Sequence, residues 1–259
     1  MIDIPPASAR LRDKLRNEFT FQISVDTARL ALGVDVAAAA IAAGITLVEM
    51  GTPLLKGEGV RNVVPAFRER FPDAVLLADM KSMDGAGFEA RSVFEGGGNI
   101  IDFLAAAGVA SARAVCAARD EFRKAEPNVP RLAFADILLP HQGPGDKAVE
   151  VAQSMLEAGV DGVGIHLQLD ARRADTALFQ SSYLSDVAEA VFEGVGDRAS
   201  VQVVGGLNIA QAQKLARAGL RAFVISGNFG LPDALARYDQ PPAEIERLIR
   251  DFIRQVSQV

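Results

Sequence analysis

The stretch Ala42-Ala43-Gly44-Ile45-Thr46-Leu47-Val48-Glu49-Met50 holds the pattern that decides the fold. An alanine-rich run with helical spacing ends on a glycine, and a short apolar, β-branched run follows at once. Glycine tolerates the positive φ at which helices stop. The apolar run lacks the alternation of a half-exposed strand, which marks a strand covered on both faces. The same order returns at Glu157-Ala158-Gly159-Val160 and at Arg217-Ala218-Gly219-Leu220. Working outward, the pattern predicts strands over 21–26, 46–50, 75–79, 100–104, 131–136, 162–166, 200–204 and 222–226. Helices are predicted over 28–43, 60–71, 85–95, 111–125, 146–158, 175–193, 209–218 and 241–259.

Eight strand-plus-helix units in 259 residues have the size and rhythm of an α/β protein of the (β/α)8 TIM-barrel class. Five or six such units could form an open doubly wound sheet, and the count of eight favours the closed barrel. Leu11, Leu15 and Phe19 recur at helical spacing. Residues 1–20 are therefore expected to be a helical extension over the bottom of the barrel, with 21–259 as the catalytic domain. No Gly/Ser-rich linker divides the chain.

Composition narrows the function. A net charge of −6 argues against nucleic acid as a partner. No run of 18 apolar residues occurs, so no membrane span is expected. The single Cys116 excludes an internal disulfide framework and, with two histidines, a cysteine-type zinc site. The first residues lack a signal-peptide core, and a cytoplasmic location is the expectation.

In a barrel, polar residues at the C-terminal strand ends line the active site. The apolar runs here end in Asp26, Glu49, Asp79, Asp136 and His166, with Lys81 and Asp84 just after Asp79 and Asp170 after His166. Asp102 falls unexpectedly within the fourth strand. Each taken singly has a plain reading, as a helix cap, a core histidine or a solvated lysine. Together they would crowd buried charge into one mouth, which needs a function or an ion to hold it. Asp79 and Lys81, two apart at a strand end, are expected to face one pocket. A lysine fixed among carboxylates stays protonated and can stabilise a developing enolate or enediolate. At the other side of the mouth, the seventh and eighth strands run into Gly205-Gly206 and Ser226-Gly227-Asn228. Glycine turns on those strands match the usual barrel phosphate site, although a plain strand-to-helix turn is an alternative.

The blocks VEMGTPLLKGEG (48–59), ADMKSMDGAGFEA (78–90), GVGIHLQLD (162–170) and VQVVGGLN (201–208) resemble the motif series of the orotidine monophosphate decarboxylase superfamily. The branch they look most like holds 3-hexulose-6-phosphate synthase and 3-keto-L-gulonate-6-phosphate decarboxylase. The resemblance implies Glu49 and Asp79 as ligands of Mg²⁺, a cofactor that suits hard carboxylate oxygens. It implies Lys81 as the cation facing a 1,2-enediolate, His166 as acid/base, and Asp26 as a support for Lys81 and the substrate hydroxyls. Asp136 joins this catalytic set, and with His166 could supply the opposed pair of an isomerase or epimerase. Asp84 would reach a neighbouring subunit's site, so a homodimer with active sites at its interface is implied. Gly205, Gly206, Gly227 and Asn228 would grip the phosphate of a small sugar phosphate.

Both sister activities share the enediolate. The decarboxylase branch carries an arginine three residues after the histidine, and Leu169 stands there instead, as in the synthases. That favours an aldolase joining ribulose 5-phosphate and formaldehyde, with the keto sugar-acid decarboxylase second and a non-catalytic phosphosugar-binding barrel third. Departures from the pattern are Gln168 for a glycine, Asp102 for a small hydroxyl residue, Ser226 for a glycine, and long segments at 139–147 and 171–198. The first of these segments is expected to bring His141 near the mouth.

Overall fold

The computed structural model describes residues 4–233 and 235–259, so residues 1–3 of the expected N-terminal extension lie outside them. Eight parallel strands close on themselves in sequence order. They are β1 (Thr20–Val25), β2 (Leu47–Met50), β3 (Val75–Asp79), β4 (Ile100–Leu104), β5 (Leu132–Leu139), β6 (Gly162–Leu167), β7 (Ser200–Val204) and β8 (Ala222–Ile225). β8 pairs with β1 through Thr20↔Ala222 to Ile23↔Ile225, which closes the ring. Almost every strand residue is buried, because helices cover the outside and side chains fill the inside.

The helices are α1 (Pro6–Asn17), α2 (Leu30–Ala42), α3 (Thr52–Glu58), α4 (Val60–Arg70), α5 (Ala86–Glu95), α6 (Gly108–Ala125), α7 (Gly145–Glu157), α8 (Leu169–Ala174), α9 (Thr176–Gln180), α10 (Tyr183–Val195), α11 (Ile209–Arg217) and α12 (Pro242–Ser257). No described helix is long and apolar enough to cross a membrane. Helix α1 sets Leu11 and Leu15 against Leu47, Leu77, Ile100, Leu132 and Phe134, near the strand starts. It is pinned there where Ser200 Oγ donates to Leu15 O at 3.1 Å and Arg131 N donates to Ser8 Oγ at 3.0 Å. The bottom is thereby sealed, and chemistry is left to the opposite end.

Three expectations need correction. The sequence reading assigns no element between 50 and 60, but Thr52-Pro53 starts a short helix, α3, since proline suits a first turn. The helix expected over 175–193 is two helices, α9 and α10, with α8 before them, because Asp175 caps α9 through the amides of Ala177 and Leu178 and the chain then breaks at Ser181-Ser182. The loop bearing His141 does not approach the mouth. β5 continues to Leu139, and Gln142 folds back to accept from Leu138 N at 3.0 Å, turning the chain outward. His141 lines an outer groove with Ala105, Lys147 and Glu150 instead.

Candidate active site

A cavity of about 480 Å³ opens at the C-terminal ends of the strands. Its wall includes Asp26, Glu49, Asp79, Lys81, His166, Gly205, Gly206, Gly227 and Asn228, so the structure brings nine of the sequence-predicted residues together. Asp136 lies beneath the floor and bonds to two of the wall residues. Asp84 does not join its own chain's mouth. It is exposed, and its Oδ1 accepts from Gly85 N at 2.8 Å, immediately before α5.

Lys81 is the hub. Its Nζ is paired with Asp79 Oδ2 and lies 3.5 Å from Asp136 Oδ2. Strand β3 ends at Asp79, and Lys81 has φ +45°, in the left-handed region. The lysine thus reaches its partners by a strained turn and not by strand alternation, as the spacing alone suggests. Burial opposes the ammonium charge. The Asp79 and Asp136 carboxylates overcome it and hold Lys81 protonated well above the ordinary lysine range.

Asp136 Oδ2 also lies 2.7 Å from His166 Nδ1. Burial works against the charge on Asp136, but His166 and Lys81 prevail and hold its carboxyl below the usual range. One carboxylate therefore orients both the cation and the imidazole, leaving His166 Nε2 for proton exchange.

Glu49 sits differently. Gln202 Nε2 donates to Gln22 Oε1 at 3.0 Å, and Gln22 Nε2 in turn donates to Glu49 Oε2. Ser24 Oγ lies 2.8 Å from Glu49 Oε1 and 2.9 Å from Asp26 Oδ2, so one hydroxyl proton serves two carboxylates. Burial, then the Asp79 and Asp26 charges, raises Glu49 well above the ordinary range. Lost solvation and the Asp79 charge raise Asp26 as well, although the residue stays open at the mouth.

Asp102 is the residue whose place the sequence left unexplained. It pairs in register with Asp79, on the adjacent strand. Carboxylate oxygens of Asp79, Asp102 and Asp136 lie within 4.8 Å of one another. Oδ1 of each is buried with no hydrogen-bond partner. Burial and its two neighbours raise Asp102 well above the carboxylate range. Unpaired buried carboxylate oxygens at this spacing fit a hard divalent cation, which takes oxygen ligands at about 2.0–2.6 Å.

At the phosphate end, Gly205 and Gly206 have φ of +119° and +78°, conformations that a side chain would strain. Asn228 Nδ2 donates to the carbonyls of Gly206 and Leu231 at 2.9 and 2.8 Å. Its side chain thus ties the two turns together, and phosphate donors would come from the backbone. Sequence reasoning missed Arg172, Arg173 and Tyr238, which also line the cavity. Arg172 Nη1 donates to Gly205 O at 2.7 Å, over the glycine turn. Tyr238 Oη donates to Ser24 O at 2.7 Å. The basic pair Arg172-Arg173 on a segment following a candidate catalytic histidine was a signal available in the sequence. Nothing local marks Tyr238.

Residues 20–227 match the sequence family described as orotidine 5′-phosphate decarboxylase / HUMPS. The 3-hexulose-6-phosphate synthase of Mycobacterium gastri is 26% identical over 216 residues, 83% of this chain and 94% of that protein. A probable 3-keto-L-gulonate-6-phosphate decarboxylase of Haemophilus influenzae is 34% identical over 85 residues, 33% of this chain and 37% of that protein. A crystal structure of 3-hexulose-6-phosphate synthase superposes with a TM-score of 0.73 at 22% identity, covering 90% of this chain and 99% of that one, a likeness of fold. With a closed eight-stranded barrel and a family match that runs from the start of β1 through β8, the chain belongs to the orotidine 5′-phosphate decarboxylase / HUMPS family.

Proposed function

We propose that the protein is a Mg²⁺-dependent lyase of the aldolase type, joining formaldehyde to ribulose 5-phosphate through a 1,2-enediolate. The observation that carries this reading is the single Asp136 carboxylate shared between Lys81 and His166. It sets a permanent cation and a proton-exchanging imidazole side by side at the mouth, as enediolate chemistry needs.

His166 Nε2 takes the proton from the sugar carbon next to the carbonyl, and the electron pair moves onto oxygen. The fixed charge of Lys81 faces that oxygen, already oriented before charge develops. The enediolate carbon then bonds to the aldehyde carbon, and the proton returns to the former aldehyde oxygen. Asp26, which does not pair with Lys81, accepts from the substrate hydroxyls. The resemblance points to Glu49 and Asp79 as residues that would hold Mg²⁺, which would supply charge neutralisation at the sugar oxygens. The Gly205-Gly206 and Gly227 turns offer backbone amides to the phosphate, with the Arg172 guanidinium beside them.

The decarboxylase reading has one observation in its favour, two arginines after His166. Arg172 is turned to the Gly205 carbonyl, however, and Leu169 lines the mouth where the decarboxylase arginine would stand. Purified protein with Mg²⁺, ribulose 5-phosphate and formaldehyde is expected to consume the aldehyde. Release of CO2 from a 3-keto-gulonate phosphate without aldehyde consumption would replace this reading by the decarboxylase. Neither reaction would leave a phosphosugar-binding barrel.

The working unit proposed is a homodimer. Asp84 is exposed beside Met83 and Phe88, apolar side chains that are 56% and 69% exposed. Mixed dimers of Lys81→Ala and Asp84→Ala chains are expected to regain activity, because one site then has both residues intact. Absence of rescue assigns Asp84 to its own chain as a turn residue.

A further inference from the structure

The carboxylates of Asp26, Glu49, Asp79, Asp102 and Asp136 are not equivalent as ligands. Glu49 Oε2 accepts from Gln22, and Glu49 Oε1 shares the one Ser24 hydroxyl proton with Asp26. By contrast, Asp79, Asp102 and Asp136, only 4%, 6% and 1% exposed, each keep Oδ1 buried and without a partner. Lys81 takes the Oδ2 side of Asp79 and Asp136, so the three free oxygens lie away from its pairing. Gly164 on β6 makes room for the Asp136 oxygen. A Cβ there would meet Asp136 Oδ1 at 2.6 Å and Asp102 Oδ2 at 3.8 Å.

We infer that Asp102 is a ligand of the divalent cation, which is held by Asp79, Asp102 and Asp136 one strand further round the barrel than the Glu49–Asp79 pair. This rests on the reading above that a divalent cation works at this mouth. Like charges directly opposite on paired strands repel, and Asp79 faces Asp102 in register. One lysine cannot neutralise three buried carboxylates, whereas a dication with Lys81 can. Affinity for such ions rises with the number of charged ligands, and a third carboxylate should tighten binding in the absence of substrate. Asp79 belongs both to the trio and to the wall of the cavity, and so links the cation seat to the substrate.

The test uses Mn²⁺ as the probe and no substrate, so that it stands apart from the reaction. Free Mn²⁺ measured by electron paramagnetic resonance should give one site per wild-type chain. Asp102→Asn should raise its Kd at least tenfold, on the order of 1.4 kcal/mol, and Glu49→Gln should raise it less. The Mn²⁺-induced increase in Tm should shrink in the same order. A Kd for Asp102→Asn within twofold of the wild type, or a larger loss in Glu49→Gln, overturns the inference. So does a wild-type chain that binds no Mn²⁺. Should Asp102→Asn fail to fold, wild-type crystals grown with Mn²⁺ decide by the anomalous signal. A peak coordinated by Asp102 supports the assignment, and a peak on Glu49 and Asp79 away from Asp102 overturns it. Failure of the aldehyde assay with intact Mn²⁺ binding would sink the proposed reaction alone.

Discussion

Lys81 combines three features that its sequence position does not reveal singly: left-handed backbone, two carboxylate partners, and a side chain still 22% open to the mouth. The backbone strain is the kind found where a fold over-determines one residue for function. Lys81→Ala should keep the fold and lower kcat at least about 100-fold, as loss of a preorganised charge does. A near-normal kcat would remove Lys81 from the chemistry. The carboxylates at strand ends and the Asp79-x-Lys81 spacing were readable because apolar runs make any charge within them conspicuous. The meaning of Asp102 was not readable. Its isolation in β4 says nothing of Asp79 and Asp136 until strand register sets the three side by side. The Arg172-Arg173 pair was visible as a basic pair after His166, but its place over β7's glycines follows only from the three-dimensional path of α8.

At the level of elements, strands β3, β4 and β7 coincide with the sequence reading to the residue, because each is a short apolar run between clear breakers. Helix α3 and the break among α8, α9 and α10 were missed, since short helices depend on caps and tertiary support more than on periodicity. The turn after β7 is the element most exposed to a single substitution. A Cβ on Gly206 would lie 2.0 Å from Arg172 Nη1, and the residue has φ +78°. Gly206→Ala should therefore cost roughly 1–3 kcal/mol of stability from backbone strain. It should also raise KM for the phosphosugar about tenfold, with a smaller change in kcat. Steady-state kinetics with chemical denaturation checks both, and an unchanged KM would place the phosphate grip elsewhere.

Over the whole molecule, the two barrel ends treat charge in opposite ways. At the bottom, Arg119 and Arg123 bracket Asp161 at 2.6 and 2.9 Å, and opposite charges satisfy each other. At the mouth, carboxylates outnumber cations. Asp26, Glu49 and Asp102 all have carboxyls raised in the fold, by burial first and by one another next. A raised carboxyl binds its proton more tightly when folded. Its stabilisation is complete below the unfolded range near about 4 and is lost as pH climbs through the raised value. Asp136, shifted down, contributes stability that fades only in stronger acid. Without divalent ions, the protein should thus melt at least about 3 °C lower at pH 8 than at pH 5. Thermal melts in EDTA test this, and a higher Tm at pH 8 would show that the mouth is not the dominant titrating region.

The hydroxyl of Tyr238 rests on the carbonyl of Ser24, joining residues 214 positions apart. During synthesis the first strand leaves the ribosome early, while this contact waits for the final tenth of the chain. At about 5–20 residues per second, that interval is on the order of ten seconds or more. For most of it, β1 lacks β8 as its neighbour, and the Tyr238 side of the cavity beside Asp26 is missing. The cavity is not complete before residue 238 is in place. Its mouth is a late product of translation, finished only when the two ends of the chain meet.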